Sequence, residues 1–497
     1  MRFSRAAAVV LAGLIAVSAS AQKVTLTLDA TDVGRRMLHS KLTIPAVPGP
    51  FTLLYPKWIP GEHGPSGPIV DLVGVQVAAG EKPLAWQRDP SDMFAFRVVV
   101  PDGASSIDVT LDFLTPVTGG KFSSGASVTS QLAVISWNTA LLYPSVASAA
   151  SIEVEATLKY PAGWKFATAL RPVRQAAGEV TFAPVSLVTL IDSPVLLGAN
   201  MTSVPLKGGT IPHQIEIAAD SPAALELPEN FTESYERLVA ESGAIFGARP
   251  YARYHWLVAL SDSIEHFGLE HHESSDNRMG ERTLLEEKSR RGLAGLLAHE
   301  FAHTWNGKFR RPADMVLSDY QQPLQTELLW VYEGLTTFLG ALLPARSGLW
   351  EAEHFREALA QTAAELDVKP GRAWRPLADT AVSAQTLFGA PSAWASYRRG
   401  ADFYSEMTLV WLEADTIIRQ KSGGKRSLDD FMRAFHGGRD GSPDLKPYTF
   451  DDIVAALNGA AEHDWAGFLT TRVRNVAPRA PLAGIENAGW RLVYTEK

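Results

Sequence analysis

The chain has 497 residues, a formal charge of -8 and no cysteine. That length holds two to four domains. The negative charge, with no Lys/Arg-rich run, excludes a nucleic-acid partner. The missing cysteines exclude disulfides and thiolate metal sites, which leaves His, Asp and Glu as ligands. Arg2 and Arg5 precede an apolar run over 6–17, and Ala19-Ser20-Ala21 is an A-x-A cleavage site. Residues 1–21 therefore read as a signal peptide, with the mature chain starting at Gln22 in the periplasm or outside the cell. The alternative, a membrane anchor, is disfavoured because the run is short for a span. No other segment approaches a transmembrane length.

From 22 to 205 the hydrophobic period is two. Val24, Leu26 and Leu28 alternate with polar residues, as do Ile107, Val109, Leu111 and Phe113, and Ile152, Val154, Ala156 and Leu158. Gly- and Pro-containing turns separate the runs, predicting an antiparallel β-domain with one face buried. Within it, Pro56 to Gly64 is a rigid aromatic loop that reads as a packed turn. Glu62 and His63 there have no ligand spacing to anything.

Residues 206–475 change character. A helix is expected over about 233–246, and a buried strand over Tyr254 to Leu260. Residues 264–274 then carry Glu265, His266, Glu270, His271, His272 and Glu273. These read as a solvated polar edge or a second metal site.

His299-Glu300-Phe301-Ala302-His303 follows on an apolar helix marked by Leu293, Leu296, Leu297 and Phe301, with Gly307 placed to stop it. This is H-E-x-x-H, in which two imidazoles one turn apart face the same way and hold one zinc ion. Glu300, rotated by about 100°, can take a proton from the attacking water. Ordinary packing is the alternative. However, two His and one Glu buried together without partners would cost several kcal/mol.

A second apolar helix is expected from Leu324 to Leu342, ended by Pro344 and carrying both Glu327 and Glu333. A catalytic zinc takes a third protein ligand and keeps one position open. The candidates are Glu333, Glu327, Asp314 and Asp319. Arg310-Arg311-Pro312 reads as a surface loop, which leaves Asp314 and Asp319 solvated. Glu333 lies among Trp330, Val331, Leu335 and Phe338, where a carboxylate needs a cation. Gly334 beside it permits close approach of a helix or metal. The residues alone favour Glu333 over Glu327. Further helices are expected over 350–366, 404–421, 428–435, 450–457 and 465–472. Asp402 is a candidate cap for the second of these and Gly423-Gly424 follow its end. Residues 476–497 read as a linker and a final strand, Trp490 to Tyr494.

His299 to Asn306 and Glu327 to Thr336 resemble the signature of the glycyl aminopeptidase-like family of zinc metallopeptidases. These are gluzincins with a thermolysin-like fold, related to the alanyl and leucyl aminopeptidases. Trp58-Ile59-Pro60-Gly61, Asp192-Ser193-Pro194 and Gly268-Leu269-Glu270-His271 resemble further segments of that family, and the likeness covers most of residues 40–475. It implies a multidomain α+β fold: an N-terminal antiparallel β-domain, then a thermolysin-like α/β catalytic domain with a helical lobe. It implies one Zn2+ held by His299, His303 and Glu333, with Glu300 as general base. It implies peptide substrates with a free N-terminus, small residues first, whose α-amine meets Glu270 and whose backbone pairs with the strand of Gly268. The family's oxyanion-stabilising Tyr falls on Tyr404 or Tyr397, and the longer downstream register favours Tyr404. Members often carry a PDZ-like domain after the catalytic part, of which 476–497 could be a remnant. The rivals are a zinc endopeptidase with an open cleft, for which Glu270 anchors nothing, and a non-catalytic binding protein on the same fold.

Overall fold

The computed structural model describes residues 23–146, 148–441 and 444–496. The signal-peptide reading of 1–21 lies outside them. Among the described residues no helix is long and apolar enough to cross a membrane.

The period-two runs form strands. Lys23–Asp29 pairs antiparallel with Met37–Pro45, which continues to Ser106–Leu114 and Leu72–Ala79 in a nine-stranded sheet. Val24, Leu26, Leu28, Ile107, Val109, Leu111 and Phe113 all turn inward onto a four-stranded sheet that includes Gly49–Leu54 and Ala95–Val100. One pairing departs from the antiparallel expectation: Lys23–Asp29 runs parallel to Glu153–Lys159. The two are over a hundred residues apart, and a parallel neighbour requires only a long crossover, which alternation does not reveal.

The second part is built on a five-stranded sheet of Asn200–Leu206, His213–Ala219, Tyr254–Leu260, Ser274–Met279 and, at one edge, Gly268–Glu270. The motif helix, Glu287–Ala302, lies against this sheet. Its Leu297 carbonyl accepts from the Trp256 indole at 3.0 Å, and its Glu300 carbonyl from the Tyr254 hydroxyl at 3.3 Å. The helix ends five residues before Gly307. His303 is its C-cap, still in right-handed geometry.

The next helix is Leu329–Ser347, not 324–342. Glu327 precedes it, exposed and paired with Arg474 at 3.0 Å. Pro344 sits inside the last turn and does not end the helix; Gly348, at φ 74°, does. The two helices cross where Gly340 faces Gly295, and a Cβ on Gly340 would be 3.3 Å from the Gly295 carbonyl and 3.0 Å from His299 Cβ. Asp402–Lys421 packs on the other side. A Cβ on Gly334 would lie 2.3 Å from Met407 Cβ, so the glycine serves helix approach. Asp402 is the first residue of that helix and caps nothing; it is buried with Lys369 and Arg399.

Two more expectations fail. Arg310–Pro312 is a short strand beside Lys446–Tyr448, with Arg310 buried over the Phe435 ring at 4.1 Å. A stacked guanidinium is invisible to a polarity count. The terminal segment forms no strand. After Ala483–Asn487, a helix, it lies along Ala352–Asp367, with Tyr494 donating to Asp367 and Arg356 over Trp490. Strand-like composition without a sheet edge to join makes no strand.

Candidate active site

Three side chains from two helices converge at the centre. His299 Nε2 and His303 Nε2 are 3.1 Å apart, and Glu333 Oε2 is 3.4 Å from the first and 3.2 Å from the second. His303 is fixed from behind: its Nδ1–H donates to the Asn306 carbonyl at 3.0 Å, which aims Nε2 at Glu333. Asn306 in turn donates to the carbonyls of Val331 and Tyr332 and to Thr336, tying the end of the motif helix to the helix of Glu333.

These atoms fit a zinc ion. Tetrahedral coordination with bonds of about 2.0–2.1 Å needs ligand atoms about 3.3–3.4 Å apart. Glu333 is buried, yet its Oε2 has no hydrogen-bond partner. A buried carboxylate oxygen facing two imidazole nitrogens suits a cation between them. Glu327, Asp314 and Asp319 do not join them: Asp314 is exposed, and Asp319 accepts from the Gln321 amide.

Glu300 sits beside this centre in a cleft of about 640 Å³. Burial pushes its carboxyl well above the usual range; His303 opposes this, and Glu270 and Glu333 reinforce it. Gly268 lies against it, since a Cβ there would fall 2.0 Å from Glu300 Oε1.

Glu270 ends the edge strand and is 3% exposed. It accepts from the Tyr332 hydroxyl. The backbone of Gly61, from the N-terminal domain, presses against it: a Cβ there would be 2.9 Å from Oε2. Burial pushes this carboxyl up, but His303 and Lys308 hold it below the usual range.

Tyr404 also lines the cleft, its ring centroid 6.3 Å from that of His299. Burial and the charges of Glu333, Glu270 and Glu300 keep its phenol protonated. Tyr397 is 55% exposed and lies outside that lining.

The polar stretch before the motif makes no second metal site. Among the described residues, the groups of side chains able to hold a metal are His299-Glu300-His303 and Glu270-His303-Glu333. His266 bonds the Ser261 carbonyl, His272 bonds that of Pro250, and Glu273 accepts from the Ala252 amide. His271 Nδ1 meets Asp192 Oδ1 at 3.1 Å; Asp192 also takes Lys308 Nζ at 2.8 Å and the His272 amide at 2.9 Å. Burial opposes ionisation of Asp192, but Lys308 and His271 hold its carboxyl far below the usual range.

One residue at the centre escaped the sequence reading. His63, treated there as part of a packed turn, is 1% exposed and places Nε2 2.5 Å from Glu333 Oε1. No periodicity links positions 63 and 333.

Comparison with known proteins places the chain in a family. The model of the M61 glycyl aminopeptidase family matches residues 292–410, and that of the peptidase M61 N-terminal domain matches 25–199; together they span more than half of the chain. No curated protein matches. The crystal structure of an aminopeptidase N family protein from Idiomarina loihiensis superposes with a TM-score of 0.77 at 18% identity, covering 93% of this chain and 78% of that one. An M1 zinc metallopeptidase from Deinococcus radiodurans gives 0.55 at 17% identity, covering 92% and 93%. A mutant of the latter bound to a Tyr-Ser-Ala substrate gives 0.54 at 15% identity, covering 93% and 96%. At these identities the structures speak to fold.

Proposed function

Because the chain belongs to the glycyl aminopeptidase family of metallopeptidases, we propose that it is a zinc aminopeptidase that removes single residues from the free N-terminus of peptides, glycine and alanine first. The observation that carries the reading is Glu270. It is a buried carboxylate in the cleft, with Gly61 and Tyr332 against it, within reach of the metal ligands.

His299, His303 and Glu333 hold the ion in this reading. When bound, zinc polarises the scissile carbonyl and lowers the pKa of the attacking water toward about 7. Glu300 takes the water's proton, and its raised affinity for protons suits it to pass that proton to the leaving amine. Tyr404, held protonated, donates to the oxyanion as it forms. The outer edge of Gly268–Glu270 offers backbone groups to an extended substrate, in the manner of an added strand. Glu270 receives the α-ammonium group, and a desolvated charge pair there fixes which bond lies over the centre. The preference for small first residues rests on the family's description. Export rests on the Ala19-Ser20-Ala21 site.

N-acetylation tests the reading, because it removes the cation that Glu270 would receive. Cleavage of Gly- and Ala-initiated peptides should vanish on acetylation. Truncating one partner of a desolvated charge pair costs about 2–5 kcal/mol, or roughly 30- to several-thousand-fold. Glu270→Ala should therefore lose that much kcat/KM on free-amine substrates with zinc content unchanged. Acetylated peptides cut internally at the free-peptide rate, with Glu270→Ala affecting both alike, would establish an endopeptidase instead.

A further inference from the structure

We propose that His63, from the N-terminal domain, is a positioning residue for the metal centre: its Nε2–H donates to Oε1 of Glu333, so that Oε2 alone is presented to the ion. This rests on the reading of Glu333 as the third ligand. The geometry is direct. His63 Nε2 lies 2.5 Å from Oε1, while Oε2 of the same carboxylate faces His299 and His303 and has no hydrogen-bond partner. One oxygen is thus spoken for and the other left for a cation. A carboxylate held in this way keeps one orientation, which is how outer groups tune a metal's ligands.

The chain takes some trouble to put His63 there. Its φ is 55°, a left-handed conformation uncommon for a residue other than glycine, and residues held so cluster at functional sites. The flanking loop is locked. Lys57 and Trp58 donate to the Tyr320 carbonyl, and the buried Glu62 carboxylate accepts from Ser66 and from the amide and hydroxyl of Ser123. The imidazole packs edge-on to Tyr332 at 5.9 Å and against Phe388 at 5.8 Å. Its Nδ1 is buried without a partner, so Glu333 is the one polar contact of the ring.

The test is the zinc dissociation constant of the full chain, measured by competition with a chromogenic chelator, beside circular dichroism of the zinc-free protein. His63→Asn suits the left-handed backbone but is too short to reach Glu333. His63→Phe keeps a ring and removes the donor. His63→Gln restores an N–H at similar reach. Losing an outer partner of a ligand weakens metal binding about 10- to 100-fold. The Asn and folded Phe variants should show that loss, and Gln should recover most of it. The proposal is overturned if the Asn variant binds zinc within about threefold of wild type, or if Gln is as weak as Asn. It is also overturned if the loss exceeds roughly 10⁴-fold, which would make His63 itself a ligand. A separate measurement on Glu333→Gln distinguishes the underlying reading: wild-type zinc affinity there would remove Glu333 from the ligand set whatever His63 does.

Discussion

Gly268→Ala separates the geometry of the general base from the metal and from the stability of the fold. Gly268 lies outside the left-handed region, so alanine is accepted by the backbone. The new Cβ, however, would sit 2.0 Å from Glu300 Oε1, 2.6 Å from its Cδ and 2.6 Å from Leu296 Cδ1. Both obstacles are ends of side chains and can swing aside, so the cost in stability should stay near the low end of the about 1–3 kcal/mol typical of overpacking. Relief requires the Glu300 carboxylate to move by about 1 Å or more, and a displacement of that size costs on the order of 10²-fold in rate. Zinc content should not change, because the nearest atoms the new Cβ meets belong to Glu300 and Leu296 rather than to His299, His303 or Glu333. Stopped-time hydrolysis of a Gly- or Ala-initiated peptide gives kcat, metal analysis gives occupancy, and urea unfolding gives stability. A kcat within threefold of wild type at full zinc occupancy would show that Glu300 is not the group whose placement limits the chemistry.

Glu300→Gln should keep zinc and lose about 10²–10⁴ in rate, whereas chelation or Glu333→Ala should remove zinc and activity together. Near-normal turnover of the Gln variant, or normal zinc in the Ala variant, contradicts the assigned roles. Stability should also fall in mild acid. Burial lowers His436 to about 3 and His213 to about 4, against 6.5 for a free imidazole. Both groups are therefore neutral when folded and bind protons preferentially when unfolded. Their contribution is complete above about pH 6.5 and is lost as pH falls through the folded values, about 2 kcal/mol for each by pH 5. Urea unfolding of wild type and His436→Asn between pH 7 and 5 checks this; parallel slopes would rule His436 out as a source.

The legible parts of the molecule are those written in local spacing. The motif helix, the period-two strands and the meaning of Gly334 all follow from neighbours within one or two turns. The place of Glu333 beside the two imidazoles was legible because a carboxylate amid Trp330, Val331, Leu335 and Phe338 demands a cation wherever it folds. What failed was decided by distant partners. Pro344 stays in its helix because it falls in the last turn, after the crossing at Gly295 and Gly340 has set the helix in place. Trp490 to Tyr494 finds Asp367 and Arg356 instead of a sheet edge. Asp402 reads as a cap until Lys369 and Arg399 are seen to claim it. His63 is the extreme case, since its one polar contact is 270 residues away.

That contact is one of several by which the N-terminal domain reaches the site, and they bear on why the chain joins the two. Gly61, at φ 89°, packs its backbone against the Glu270 carboxylate and the end of Leu269. His63 holds the spare oxygen of Glu333. Asp192 binds Lys308, five residues past His303, and also His271 and the His272 amide just beyond Glu270. In the proposed reading each contact bears on a different requirement: how the amine-binding carboxylate sits, how Glu333 points, and how the edge strand sits relative to the motif helix. Lys308 is 1% exposed, and removing Asp192 would leave its buried charge without its direct partner. The α/β part carries every side chain assigned to the chemistry in the proposed reading, yet Glu270 and Glu333 are both contacted from the first domain. If Glu270 anchors the α-amine as proposed, specificity for a free N-terminus depends on the junction between the domains.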